Sequence, residues 1–96
     1  MLRIGALLAA LVISAPSANA EASRDCASDN HELAIRACTR MIKENPRNAT
    51  AYYNRGISYR QTGKLDLALA DYKLALSIDP NNGLAREGLK ILGVNP

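Results

Sequence analysis

Cys26, His31 and Cys38 are the residues whose types could do chemistry at this spacing. Two thiols separated by twelve positions are not a Cys-x-x-Cys pair, so a thioredoxin-like redox centre is not indicated. Cys-x-x-Cys-His does not occur either, which argues against covalent haem. A zinc site needs more ligands than two thiols and His31 readily supply. His31 is the lone histidine and falls at the start of a helical pattern, facing solvent. No nucleophile is spaced to use it as a base. Carboxylates are spread singly, without Glu-x-x-His, His-Glu-x-x-His or a calcium-loop pattern, and the glycines form no phosphate cradle. The expectation is no catalytic residue, no metal, no cofactor and no enzyme. Asn48-Ala49-Thr50 is a glycosylation acceptor only in a eukaryotic secretory pathway.

Which chemistry the thiols undergo depends on where the chain goes. Residues 1–20, "MLRIGALLAALVISAPSANA", begin with Arg3 and continue with an apolar run from Ile4 to Ile13. Pro16 and the small-residue ending Ala18-Asn19-Ala20 follow. This is the form of a secretory signal cut after Ala20. The run is short for a membrane span, which takes about 20 residues. Contact with a membrane is therefore expected only through the transient signal. Export to a periplasm or the cell exterior means an oxidising compartment, where two cysteines invite a Cys26–Cys38 disulfide. Closing that loop stabilises a fold by about 3 kcal/mol. A pair that opens and closes as a redox switch is the alternative.

Charge narrows the partners. Twelve Lys and Arg against nine Asp and Glu give a net charge of +3. Without Arg3, eleven against nine leave +2 on residues 21–96. The basic residues are scattered, Arg36 and Arg40 in one helical segment and Arg55 and Arg60 in another, rather than gathered into a stripe. Nucleic acid is not an expected partner.

The elements that must hold these residues are visible in a self-match. A shift of 34 positions lays Ala34 on Ala68, Ile35 on Leu69, Cys38 on Tyr72, Pro46 on Pro80 and Asn48 on Asn82. One complete unit runs from Ala49 to Asn82. Tyr52, Gly56 and Tyr59 share a face of its first helix, and Gly63 suits a left-handed cap after it. Leu65, Ala68, Leu69, Tyr72, Ala75 and Leu76 make the stripe of a second helix, which ends before Pro80. Small Ala68 and Ala75 beside bulky Tyr52 and Tyr59 let two antiparallel helices interdigitate.

This unit resembles a tetratricopeptide repeat, a family whose characteristic period equals that shift. Tyr52, Gly56 and Tyr59 carry the family's first-helix pattern, and Ala68, Tyr72, Ala75 and Pro80 its second. Arg55 stands where the family often has leucine. The resemblance implies an all-α fold of antiparallel helix hairpins, a fragment of an α-solenoid. Residues 29–96 form the helical domain. Within it 29–48 are the second helix of a partial repeat, with Glu32 and Arg36 paired at i, i+4, and 83–96 a capping helix and tail. Residues 21–28 are expected to be irregular, a loop that the disulfide fastens over the face left bare by a missing helix. Because three or more repeats are usual, either the disulfide and end cap suffice, or the chain self-associates or folds firmly only on a partner.

The resemblance also implies a binding surface. First helices of such repeats line a groove for a peptide or partner helix, here through Tyr53, Asn54, Ile57, Arg60 and Gln61. Asn54 matches an asparagine that grips C-terminal carboxylates in some relatives, but the companion lysines are absent. That face either opens as a groove, or packs on the 29–44 helix or faces water. The expected function is an exported bacterial protein-interaction module. The alternatives are the redox-responsive disulfide protein and a self-assembling component of the cell envelope.

Overall fold

A computed structural model describes residues 17–95. Their secondary structure is five helices: α1 Ala18–Cys26, α2 His31–Glu44, α3 Ala49–Gln61, α4 Leu65–Ile78 and α5 Gly83–Ile91. Each helix packs on the next, and α3 also touches α1 and α5. No helix among the described residues is long and apolar enough to cross a membrane. Residues 1–16, most of the expected signal, lie outside the described residues.

The boundaries follow from local chemistry. Asn30, Asn48 and Asn82 each accept a hydrogen bond from the backbone N–H three residues on, starting α2, α3 and α5. Asn45 and Asp79, each just before a proline, are extended and end α2 and α4. Their side chains accept from the N–H groups of Arg47 and Asn81, closing the same turn twice, one repeat apart. At the end of α3, Gly63 takes φ +78°. There the Lys64 N–H donates to the Tyr59 carbonyl at 2.8 Å and the Gly63 N–H to that of Arg60. This is a Schellman closure. Gly93, Val94 and Leu89 repeat it after α5.

The period holds in space. Moving α2 forward by one period gives the bounds of α4, and the starts of α3 and α5 are related in the same way. The core is built of small residues around one large ring. Ala34, Ala51, Ala68, Ala75 and Ala85 are fully buried, as is Tyr72, and Tyr52 is buried beside them. Tyr72 lies between α3 and α5: a Cβ at Gly56 would stand 2.7 Å from its ring, and one at Gly88 also 2.7 Å. Gly88 is thus a seat for the ring rather than merely a weak point of α5.

One expectation is overturned. Residues 21–28 are not an irregular loop, because α1 runs to Cys26 and only the short link to α2 is non-helical. Ser17 caps it by accepting from the Ala20 N–H. Ala22 and Cys26, four apart, are buried against the neighbouring helices while Glu21, Ser23 and Arg24 face water. The polarity of the segment marks an exposed helix face, not an absent helix. Shifted by one period, Ala22 falls on Gly56, so both hairpins place a small residue at the crossing. The Cys26–Cys38 disulfide is formed and joins two helices.

Candidate interaction surface

Asn48 caps α3 and the Gly63 closure ends it, so the five residues expected to bind a partner stand on one rigid helix. Their environments differ. Tyr53 is half-buried, its ring centroid 6.0 Å from that of Tyr72 and tilted by 37°. Ile57 is half-buried on the Ala68, Tyr72 and Leu89 cluster. Both therefore lean toward α4 and α5. Asn54 and Arg60 are half-buried and Gln61 is exposed at the end of the helix. The resulting surface is shallow: an aromatic and an aliphatic side chain seated on the core, with an amide and a guanidinium beside them.

Arg60 has a second role at the edge of this surface. Among the described residues neither its Nε nor the Tyr72 hydroxyl has a hydrogen-bond partner, and both atoms are buried. Burial pushes the Tyr72 phenol above its usual value of 10.0, while the Arg60 charge pulls it the other way.

Residues outside the expected set carry the strongest polar contacts. Arg55 Nε donates to Asp71 Oδ2 at 2.8 Å and Nη2 to Oδ1 at 2.9 Å. Its Nη1 donates to Thr39 Oγ1 at 3.1 Å. The guanidinium also lies 5.8 Å from the Tyr52 ring and 5.6 Å from that of Tyr59. One side chain therefore ties α2, α3 and α4 together, where an apolar residue only fills space. The hydrogen bond from Arg55 to Asp71 raises the arginine's pKa further, keeping it charged.

His31 does not simply face solvent. Its Nδ1 lies 3.3 Å from Ser58 Oγ, and Ser58 is buried, so this pair bridges α2 and α3. The serine has no partnered base arrangement beyond that single contact. The expected Glu32–Arg36 ion pair is not among those formed by the described residues, where Arg55–Asp71 and Lys90–Glu87 are.

The tetratricopeptide repeat family model matches residues 49–82. Those residues are therefore similar to a tetratricopeptide repeat. The matched residues comprise α3 and α4, begin just after the Asn48 cap and end at the Asn82 cap, and the Gly56 seat for Tyr72 lies inside them. The chain is also similar to an FK506-binding protein-like protein of Rattus norvegicus, 40% identical over 58 residues, or 60% of this chain and 17% of the relative. The Homo sapiens protein of the same description is 40% identical over the same shares. A small glutamine-rich tetratricopeptide repeat-containing protein 2 of Saccharomyces cerevisiae is 36% identical over 70 residues, 71% of this chain and 20% of the relative. The chain spans a fifth or less of these curated relatives. No solved structure matches.

Proposed function

We propose that this is an exported tetratricopeptide module that binds a protein or peptide through the exposed side of α3. The observation that carries the reading is the seating of Tyr53 on the buried Tyr72 ring and of Ile57 on the Ala68, Tyr72 and Leu89 cluster, on the same helix as Asn54, Arg60 and Gln61. A patch whose backbone and supporting ring are already fixed loses little conformational freedom on binding. Tyrosine and arginine are the types that most often dominate such contacts. Export is supported by the form of residues 1–20, and the form of that leader is also the support for a bacterial source and for residence in a periplasm or outside the cell.

The test uses the oxidised chain from Glu21 as bait in the exported fraction of its own cell, beside an Asn54→Ala/Arg60→Ala variant. Recovery of one partner by the parent and not by an equally stable variant supports the reading. Equal recovery by both removes α3 from it. Mass measurement of the native protein addresses export: an N-terminus at Glu21 is expected, and retention of Met1 would count against it.

The redox reading is less well supported. Cys26 and Cys38 are 2% and 0% exposed, so neither sulfur is presented to a thiol reagent. Exchange requires a thiolate to reach a disulfide sulfur. A buried bridge between two helices fits a structural staple.

A further inference from the structure

The outward face of α2 carries a feature that the repeat does not require. Arg36, Arg40 and Lys43 follow i, i+4, i+7 spacing, which places them within about 60° of arc on a helix. All three are exposed and none is in an ion pair among the described residues. They rim an open groove of about 480 Å³. Leu33, Ile35 and Ala37 give that groove an apolar lining, and Asp25 at the end of α1 forms part of its wall. One carboxylate against three cations leaves a local charge of +2.

Two structural explanations fall short. A cation in the last turn of a helix is favoured by the backbone dipole, and this accounts for Lys43. It does not account for Arg36, which is near the middle of α2. Nor does the architecture demand cations there. The equivalent positions of α4, one period on, hold Ala70, Leu74 and Ser77, and Leu33 corresponds to Leu67. Leu67 and Leu74 are 48% and 44% exposed. The outer face of this hairpin fold thus tolerates any character, and in α2 it is basic.

The wall of the groove is also fixed. The disulfide anchors Cys26, next to Asp25, to Cys38, between Ala37 and Thr39. Thr39, another lining residue, accepts from Arg55. Side chains held at both edges reduce the ordering that a ligand must impose.

We propose that this groove docks an acidic, amphipathic peptide segment of another protein, its apolar side on Leu33 and Ile35 and its carboxylates on Arg36, Arg40 and Lys43. Unpaired cations around an apolar lining complement such a segment in both charge and polarity. The site is separate from the α3 surface and does not depend on it.

The test is fluorescence anisotropy with a fluorescein-labelled helical peptide matched to α2 in length, Leu on one face and Glu on the other. Arg36→Gln/Arg40→Gln/Lys43→Gln should weaken binding about tenfold, the sum of three modest exposed pairs. Arg36→Lys/Arg40→Lys should bind as the parent does, and added salt should weaken the parent and not the Gln variant. Unchanged affinity in the Gln variant, with melting curves that match, would overturn the proposal. So would equal binding of a peptide with Gln in place of Glu. Binding to phosphatidylglycerol vesicles with none to the peptide would also overturn it, reassigning the face to a membrane surface. Loss of binding in Asn54→Ala/Arg60→Ala, with retention in the Gln variant, would move the peptide to α3.

Discussion

Arg55 of α3 holds Asp71 of α4 by two parallel hydrogen bonds, with only 16% and 4% of their side chains exposed. A buried ion pair is costly to break from one side, because the remaining charge keeps its desolvation cost and loses its partner. Asp71→Asn should therefore destabilise the fold by about 3 kcal/mol in urea denaturation. Replacing both, Arg55→Met with Asp71→Leu, should return most of that loss. The methionine can still touch the Tyr52 and Tyr59 rings, and nothing charged is stranded. A double variant as unstable as the single would mean that the link to Thr39, not the ion pair, is what α3 and α4 depend on.

The Tyr72 ring predicts an unusual result for two glycines. Alanine normally stabilises a helix interior over glycine by about 1 kcal/mol. At Gly56 and Gly88 the new Cβ would stand 2.7 Å from Tyr72. That ring is fully buried and flanked on both sides, so it has nowhere to move. Gly56→Ala and Gly88→Ala should each cost about 2 kcal/mol net, as overpacked sites do. Tyr72→Leu combined with Gly56→Ala should be less unstable than the sum of the two single changes. Thermal melts of the set check this, and additive losses would show that the ring and glycine do not press on one another.

The sequence made this contact legible from one side. Tyr52, Gly56, Ala68, Tyr72 and Ala75 fall at helical spacing, so a notch that admits a ring could be read, and the self-match located α2 and α4. Pro46 and Pro80 with Asn48 and Asn82 marked the turns for the same local reasons that the structure shows. The segment 21–28 reads as irregular because its Ala22 and Cys26 are small and few among polar neighbours, and a buried stripe of only two side chains is weak periodicity. Arg55–Asp71 leaves a signal in the sequence. Asp71 lies three positions after Ala68 on the buried stripe, and an arginine in an apolar position asks for such a partner. His31 and Ser58 are far apart in the chain, so their contact left no local trace. The Tyr53 and Ile57 contacts depend on where α5 lies, which no single helix pattern specifies.

Alkaline pH should act through Tyr72. Burial raises its folded pKa above 10.0, so the folded chain holds the phenolic proton more tightly than the unfolded one. Stability from this group is complete below pH 10 and falls as pH rises past 10 and through the folded value. Tyr72→Phe removes that fall. At neutral pH the same variant should equal the parent or gain up to about 1 kcal/mol, since the hydroxyl is buried without a hydrogen-bond partner. Parent and variant compared by urea denaturation between pH 7 and about pH 11 separate this residue from the other tyrosines, which both proteins share. A loss at neutral pH in Tyr72→Phe would show that the hydroxyl and Arg60 are bonded in solution.

Reduction should release α1 before the rest of the fold. Cys26 and Cys38 are twelve residues apart, and opening a loop of that size costs about 3 kcal/mol. The sulfurs are not a detached clasp, because Cys26, Cys38, Ala37 and Ala51 share one buried cluster spanning α1, α2 and α3. Apart from Cys26, the buried residue of α1 is Ala22, a single methyl group, which is too little to hold nine residues in place. The α3–α4 hairpin keeps its own ties through Arg55, Asp71 and Tyr72. Hydrogen exchange of Cys26→Ala/Cys38→Ala should accordingly lose protection in residues 21–26 while α3 and α4 stay slow. If all the helices lose protection together, α1 is part of one cooperative unit and the bridge acts on the whole fold. Unchanged protection throughout would leave the disulfide without a structural role and favour the redox reading.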